Sequence, residues 1–177
     1  MQRVKHLFVW LSRLMHCRGF GIQSPTDYWL VRYVVNEHWP YYHYADVGEE
    51  DGWLRQRMGR LYLRLANWRQ PAVVVSDDYG DYFKAGCHKA QVVTQKDFAG
   101  DTLELVRIEA GDTPDMSPIY NKVDEYTVLV VEGINRNKQL WRDIVGDERT
   151  VVTFDLYYCG IVMFDKKRTK QHYIINF

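Results

Sequence analysis

Cysteine is scarce and poorly placed for chemistry: the 177 residues include three, Cys17, Cys87 and Cys159. An odd number at wide separation forms no metal or redox spacing. That usage suits a reducing compartment, so the cytoplasm is the expected location. No stretch approaches the ~20 consecutive apolar residues of a membrane span. The opening residues, Met1 to Phe8, lack the long apolar region and small-residue cleavage site of a signal peptide. The six histidines show no ligand spacing such as His-x-x-x-His. Formal net charge is zero, and no basic stripe for nucleic acid is visible.

What is present is apolar and unevenly charged. Hydrophobic residues make up 46% of the chain, which excludes disorder. Residues 1–70 carry a balance of +4, residues 71–135 of −7 and residues 136–177 of +3. The acidic middle covers the segment where an α/β fold places its ligand crevice.

The first 70 residues read as helices. Apolar residues at Val4, Leu7, Phe8, Leu11, Leu14 and Met15 follow helical spacing, and Gly19 and Gly21 break it. Ser24-Pro25-Thr26-Asp27 is a helix start with a Ser cap and Pro at the first helical position. That helix is expected to run to about Glu37. An aromatic link from His38 to Tyr44 leads to a third helix over about residues 49–68, with Arg55, Arg57, Arg60 and Arg64 on its surface. After Pro71 the period changes. Residues 72–75, 91–94, 103–108, 126–131, 150–155, 160–164 and 172–176 read as strands, with a helix over about 136–145. The last two strands are joined by a short turn and are expected to be antiparallel. The plan is α/β, in three layers: a helical extension over 1–70 packed on a sheet core over 71–177.

Several strings together resemble a bacterial group of class I S-adenosylmethionine (SAM) methyltransferases. They are His16 to Pro25, Gly59 to Leu65 with Pro71, Trp141 to Ile144, Val151 to Leu156, Gly160 to Phe164 and Lys170 to Tyr173. Their shared order and spacing carry the resemblance. It implies a Rossmann-like methyltransferase fold, mostly parallel with antiparallel C-terminal strands.

The resemblance also marks what is missing. Such enzymes carry an acid and a glycine-rich turn after the first strand, because a bare backbone lets the cofactor approach. Here Ser76 stands in place of the acid, Asp78 in place of the first glycine, and only Gly80 survives. The acid expected at the end of the second strand, to accept the ribose hydroxyls, is matched by Lys96, which has no acceptor; Asp97 substitutes if the register slips by one. One strand–loop unit, Val130 to Asn135 with Glu132-Gly133, stands where the family has two, so one strand–helix unit is expected to be absent. The eroded cofactor positions are therefore Asp78, Gly80, Asp97 and Glu132. No metal and no cofactor are expected; SAM is the cofactor if the site still works.

Other candidates have ordinary explanations. Asp77, Asp78 and Asp81 suit a hard cation, but Asp is common in solvated turns. Cys87 beside His88 suggests a nucleophile, yet adjacent helix residues do not face each other. The Trp39–Tyr44 rings could stack a planar ligand; core packing is the commoner role, with no basic residue interleaved. The arginines of the third helix could contact phosphate, although a solvated face is the usual account. The reading that follows is a methyltransferase-like, non-catalytic domain that binds a protein partner or a second copy of itself, but neither membrane nor nucleic acid. The alternatives are an active methyltransferase with a diverged site and a module for another small ligand.

Overall fold

The structure, a computed structural model, describes residues 2–37, 39–111 and 115–177. The chain divides into two compact units. The first comprises residues 1–72, 78–92 and 175–177; the second comprises 73–77 and 93–174. Residues 78–92 and 175–177, grouped by sequence with the sheet core, thus belong to the first unit.

The first unit is helical. Helix α1 spans Gln2–Ser12, and the chain then kinks through a 3-10 segment, Leu14–Gly19, with non-helical backbone at His16, Cys17 and Arg18. The expected uninterrupted helix to Met15 therefore ends early. Helix α2, Pro25–Leu30, starts as the sequence predicts: Ser24 Oγ accepts from the Asp27 amide at 3.4 Å, with Pro25 in the first turn. It continues as a π-helical turn, Val31–Val35. The guanidinium of Arg64 secures that turn, donating to Val34 O at 2.5 Å and Val35 O at 2.9 Å, so carbonyls left over at the helix end are satisfied.

Helix α3, Trp53–Arg69, organises this unit through two faces. At about 100° per residue, Arg55, Gly59, Tyr62 and Ala66 share one stripe, while Trp53, Arg57, Arg60 and Arg64 share another. The first stripe packs on α4, Gly80–Gly86, a helix that the sequence reading did not single out. Tyr62 stacks on Phe83 with ring centres 5.3 Å apart. A Cβ at Gly86 would collide with the Leu63 carbonyl, so the two helices pack as closely as backbone allows.

The strands are β1 Val73–Val75, β2 Gln91–Val93, β3 Leu103–Glu109, β4 Val123–Glu132, β5 Val152–Asp155, β6 Cys159–Met163 and β7 Gln171–Ile174. They form one seven-stranded mixed sheet of order β2-β1-β3-β4-β6-β5-β7, so the α/β class is as expected. β1, β3 and β4 run parallel. β6 is antiparallel to both β4 and β5. β7 does not pair with β6; it lies beyond β5 and parallel to it. Within the second unit, Val75, Val106, Ile108, Leu129, Val131 and Val162 form a core with Leu140, Trp141 and Ile144 of helix α6, Lys138–Gly146. The Trp141 ring fits because Gly160 on β6 has no Cβ to meet it. Among its described residues, the link from β3 to β4 contains only the single turn α5, Ser117–Tyr120, and residues 94–102, between β2 and β3, contain no helix. The helical crossovers, rather than the strands, are what is thin.

Candidate functional site

The turn after β1 is the place to test the expected cofactor site. Within the first unit, Asp78 is held by Arg55 through two parallel bonds: Nη1 to Oδ2 at 2.6 Å and Nη2 to Oδ1 at 2.7 Å. Arg55 also donates through Nε to Asp51 at 3.0 Å. Bidentate pairing is the strongest arrangement available to these groups. Tyr79 follows with φ 60°, a left-handed conformation that is unusual for an aromatic residue. Its buried ring meets Tyr62 edge-on at 4.8 Å, and the Arg55 guanidinium covers it at 4.3 Å.

Gly80 opens α4. A Cβ there would meet only Val92 Cγ1, at 4.0 Å, so packing does not demand glycine at this position. Tyr82 is demanding instead. Its ring lies on Gly59, its hydroxyl passes over Gly48, and that hydroxyl donates to Asp51 at 2.7 Å. Burial, reinforced by the hydrogen bond to Asp51, pushes the Tyr82 phenol up to about 12.

The other predicted positions lie in the second unit and have partners of their own. Asp97 closes a turn with Thr94, whose hydroxyl donates to Oδ2 at 2.6 Å. Asp77 accepts from the Gln95 amide at 3.0 Å and from its side chain at 3.1 Å. Glu132, at the carboxyl end of β4, receives Nε and Nη2 of Arg107 on one oxygen, at 3.0 and 2.7 Å. The Arg107 side chain is 6% exposed and that of Glu132 16%, so this pair is nearly dry. Glu109, opposite Glu132 in the sheet register, pairs with Arg136 at 2.6 Å. Asp77 and Asp78 thus face different partners. Among the described residues no group of three His, Cys, Asp or Glu could hold a metal ion.

The second stripe of α3 lines a cavity of about 300 Å³ in the first unit. Here two expectations need correction. Arg57, Arg60 and Arg64 are not a solvated face, although Arg55 is exposed: Arg64 is buried, and Arg57 and Arg60 line the cavity. Nor is the aromatic link core, since Trp39 is 78% exposed. Tyr44 is instead joined to the arginines. Its hydroxyl accepts from Arg64 Nη1 at 2.7 Å, and Arg60 covers its ring at 5.0 Å. Basic residues absent from the link in sequence are supplied by the helix in space. Asn36 and Glu37, also in the lining, were not anticipated. Their only signal was adjacency to the aromatic stretch. His38 lies outside the described residues.

The remaining nucleophile candidate is not assembled. Cys87 is buried, with Sγ 3.6 Å from Pro71 O, while His88 turns to His43, with Nε2 to Nε2 at 3.4 Å. Cys159 is buried among β4 to β6, and desolvation, aided by Glu132, pushes its thiol well above the ordinary value. A thiolate there is disfavoured. In the first unit, burial and then the Arg57 charge lower the pKa of His6. No helix among the described residues is long and apolar enough to cross a membrane. Comparison with known protein families, curated proteins and solved structures finds no match to this chain.

Proposed function

We propose that the chain is a methyltransferase-like α/β domain whose cofactor turn now serves structure, and that it works as a partner-binding or scaffold protein without methyl transfer. The observation that carries this reading is the Arg55–Asp78 pair. A cofactor amino-acid group needs unfilled donors at that turn, and both terminal nitrogens of Arg55 are engaged by the two Asp78 oxygens. Asp97 and Glu132 add to the case, because each already has a partner within the chain. The mixed sheet, parallel at β1, β3 and β4 and antiparallel at β6, is compatible with the fold that the sequence resemblance implies.

Partner binding has separate support. Val4, Leu7, Phe8 and Leu11 of α1, with Met15 and Phe20 after it, are all large exposed hydrophobic residues. A concentration of such residues marks an interaction surface more often than an idle one. The deciding experiment is isothermal titration calorimetry of the purified chain with SAM and with its demethylated product. No saturable heat is expected from either. Micromolar affinity for either would establish a working cofactor site and favour the active-enzyme reading.

A further inference from the structure

We infer that the exposed face of α1, with the segment that follows it, docks the first unit onto an anionic lipid surface, lying among the headgroups rather than crossing the bilayer. The inference names the partner in the partner-binding reading above and rests on that half of it; it is independent of whether the turn after β1 takes SAM. At about 100° per residue, Val4, Leu7, Phe8 and Leu11 fall on one stripe of α1, and all are exposed, Phe8 at 68%. His6 and Val9, on the opposite stripe, are half-buried. Other groups hold this segment to its unit. The His6 ring meets Trp53 with centres 4.7 Å apart, and Arg13, just past the helix, donates through Nη1 to Ile175 O at 3.2 Å. Asn176 donates through Nδ2 to Trp10 O at 3.0 Å and through its amide to His16 O at 3.0 Å. A helix on the surface of a water-soluble protein turns its apolar stripe inward. This one turns the stripe out.

Charge selects the occupant. Residues 1–36 carry five Lys/Arg against one acid, Asp27, and Asp27 is 1% exposed. The next acid, Glu37, is half-buried and accepts from the Trp39 amide at 2.9 Å. The apolar stripe thus belongs to a segment with cations and no exposed carboxylate. Two copies meeting on this face would bring like charges together, whereas anionic headgroups complement them. The aromatic content agrees. Among the described residues, every large exposed hydrophobic side chain except Tyr126 and Ile174 lies between Val4 and Trp39. Met15 and Phe20, each 71% exposed, carry the apolar surface beyond α1, with the exposed Arg18 between them. A Cβ at Gly19 would stand 3.0 Å from the Tyr28 ring, so the exposed Tyr28 lies against this segment. Phe and Leu enter the acyl boundary, while Tyr and Trp rings favour the headgroup level. Insertion of this kind requires no shape-matched groove.

The test is co-sedimentation of the whole chain with vesicles of phosphatidylcholine alone and of phosphatidylcholine containing one quarter phosphatidylglycerol. Binding is expected to be tighter on the anionic vesicles by about ten-fold or more, as two or more basic residues near such a surface imply, and to weaken as salt is raised. Phe8→Gln with Leu11→Gln removes apolar groups but keeps good helix formers, and should weaken binding by about ten-fold or more. Arg18→Asn removes one charge and suits the left-handed backbone there, φ 54°. It should lower affinity for the anionic vesicles about five-fold and leave binding to phosphatidylcholine unchanged. All three positions are exposed, so neither variant empties the core, and circular dichroism with thermal melts checks each fold. No binding to the anionic vesicles, equal binding to both compositions, or binding unchanged in both folded variants would overturn the assignment. So would a concentration-dependent dimer that the Phe8 and Leu11 double variant abolishes, which would give the face to a second copy and leave the partner-binding reading standing. None of these outcomes bears on the SAM titration, so failure here is distinct from failure of the non-catalytic reading.

Discussion

Gly59→Ala sets two known effects against each other, and the structure decides which wins. Alanine is the better helix former by about 0.8–1.0 kcal/mol in a helix interior, and Gly59 lies well inside α3. Propensity alone therefore predicts stabilisation. Yet a Cβ at Gly59 would sit 2.5 Å from both Cε1 and Cε2 of Tyr82, where carbon atoms prefer about 3.5–4.0 Å. The ring must retreat by about 1 Å, and it has little room to do so. Tyr82 is 3% exposed, and its hydroxyl is anchored on Asp51 at 2.7 Å. Overpacking of this kind costs about 1–3 kcal/mol, and losing a hydrogen bond to a charged acceptor costs about 1.5–3 kcal/mol. Subtracting the propensity gain leaves a net destabilisation of about 1.5–5 kcal/mol. Urea unfolding followed by circular dichroism should show a lower midpoint with an unchanged slope. The decisive control is the same substitution in a Tyr82→Ala background, where the ring is gone and Gly59→Ala should stabilise by up to about 1 kcal/mol. If Gly59→Ala is neutral or stabilising in the wild-type chain, or costs the same in both backgrounds, the close approach of α3 and α4 through this pair is wrong.

Two further outcomes follow from buried groups. Arg107→Ala leaves Glu132 without its cation in a nearly dry setting and should cost about 3–5 kcal/mol, whereas joint replacement, Arg107→Met with Glu132→Leu, should cost clearly less; thermal melts of both variants check the ordering, and equal losses would refute it. The second concerns alkaline pH. The Tyr82 phenol is held up to about 12 in the fold against about 10 in an unfolded chain. Its contribution is therefore complete below pH about 10 and is lost as pH rises toward 12. Urea midpoints measured from pH 8 upward should fall less steeply above pH 10 for Tyr82→Phe than for the parent chain, and parallel curves would count against the assigned shift.

The elements that could be read from sequence are those whose signal is local. Val73 to Val75 and Tyr126 to Val131 are apolar runs rich in β-branched residues and became interior strands of the sheet, and Ser24-Pro25 capped its helix as read. What escaped depended on partners far along the chain. The run of Phe164 to Lys170 after β6 is short, and β7 does run opposite to β6 as expected, but a short link does not make the two strands neighbours. It bounds only the distance travelled, and seven residues easily cross the ~10 Å between strands two positions apart. The chain steps over β5 and pairs on its outer side. The arginines of α3 show the same limit. Their number was plain, but their angular positions send Arg55 to one face and Arg57, Arg60 and Arg64 to another. Only the positions of α4 and the π-helical turn reveal that one face packs and the other lines a cavity. Gly59 was an overlooked clue, since glycine inside a helix otherwise destabilises it and often marks a close contact.

The candidate cofactor positions were located by pattern, but their chemistry was decided by partners the pattern does not contain. An unpaired Asp78 would repel a cofactor carboxylate, and at about 4 Å with an effective dielectric near 20 that repulsion would reach about 4 kcal/mol, a thousand-fold in affinity. Arg55 changes this argument. While its two terminal nitrogens hold Asp78, the pair is close to neutral, and most of the repulsion is cancelled. The obstacle becomes a different one: recruiting Arg55 to an incoming carboxylate would leave Asp78 uncompensated. Because Arg55 and Asp78 are each 42% exposed, the pair contributes only about 0–1 kcal/mol to stability. Its main effect is therefore on what can bind, which is why ligand titration, and not a stability measurement, decides the function of this turn.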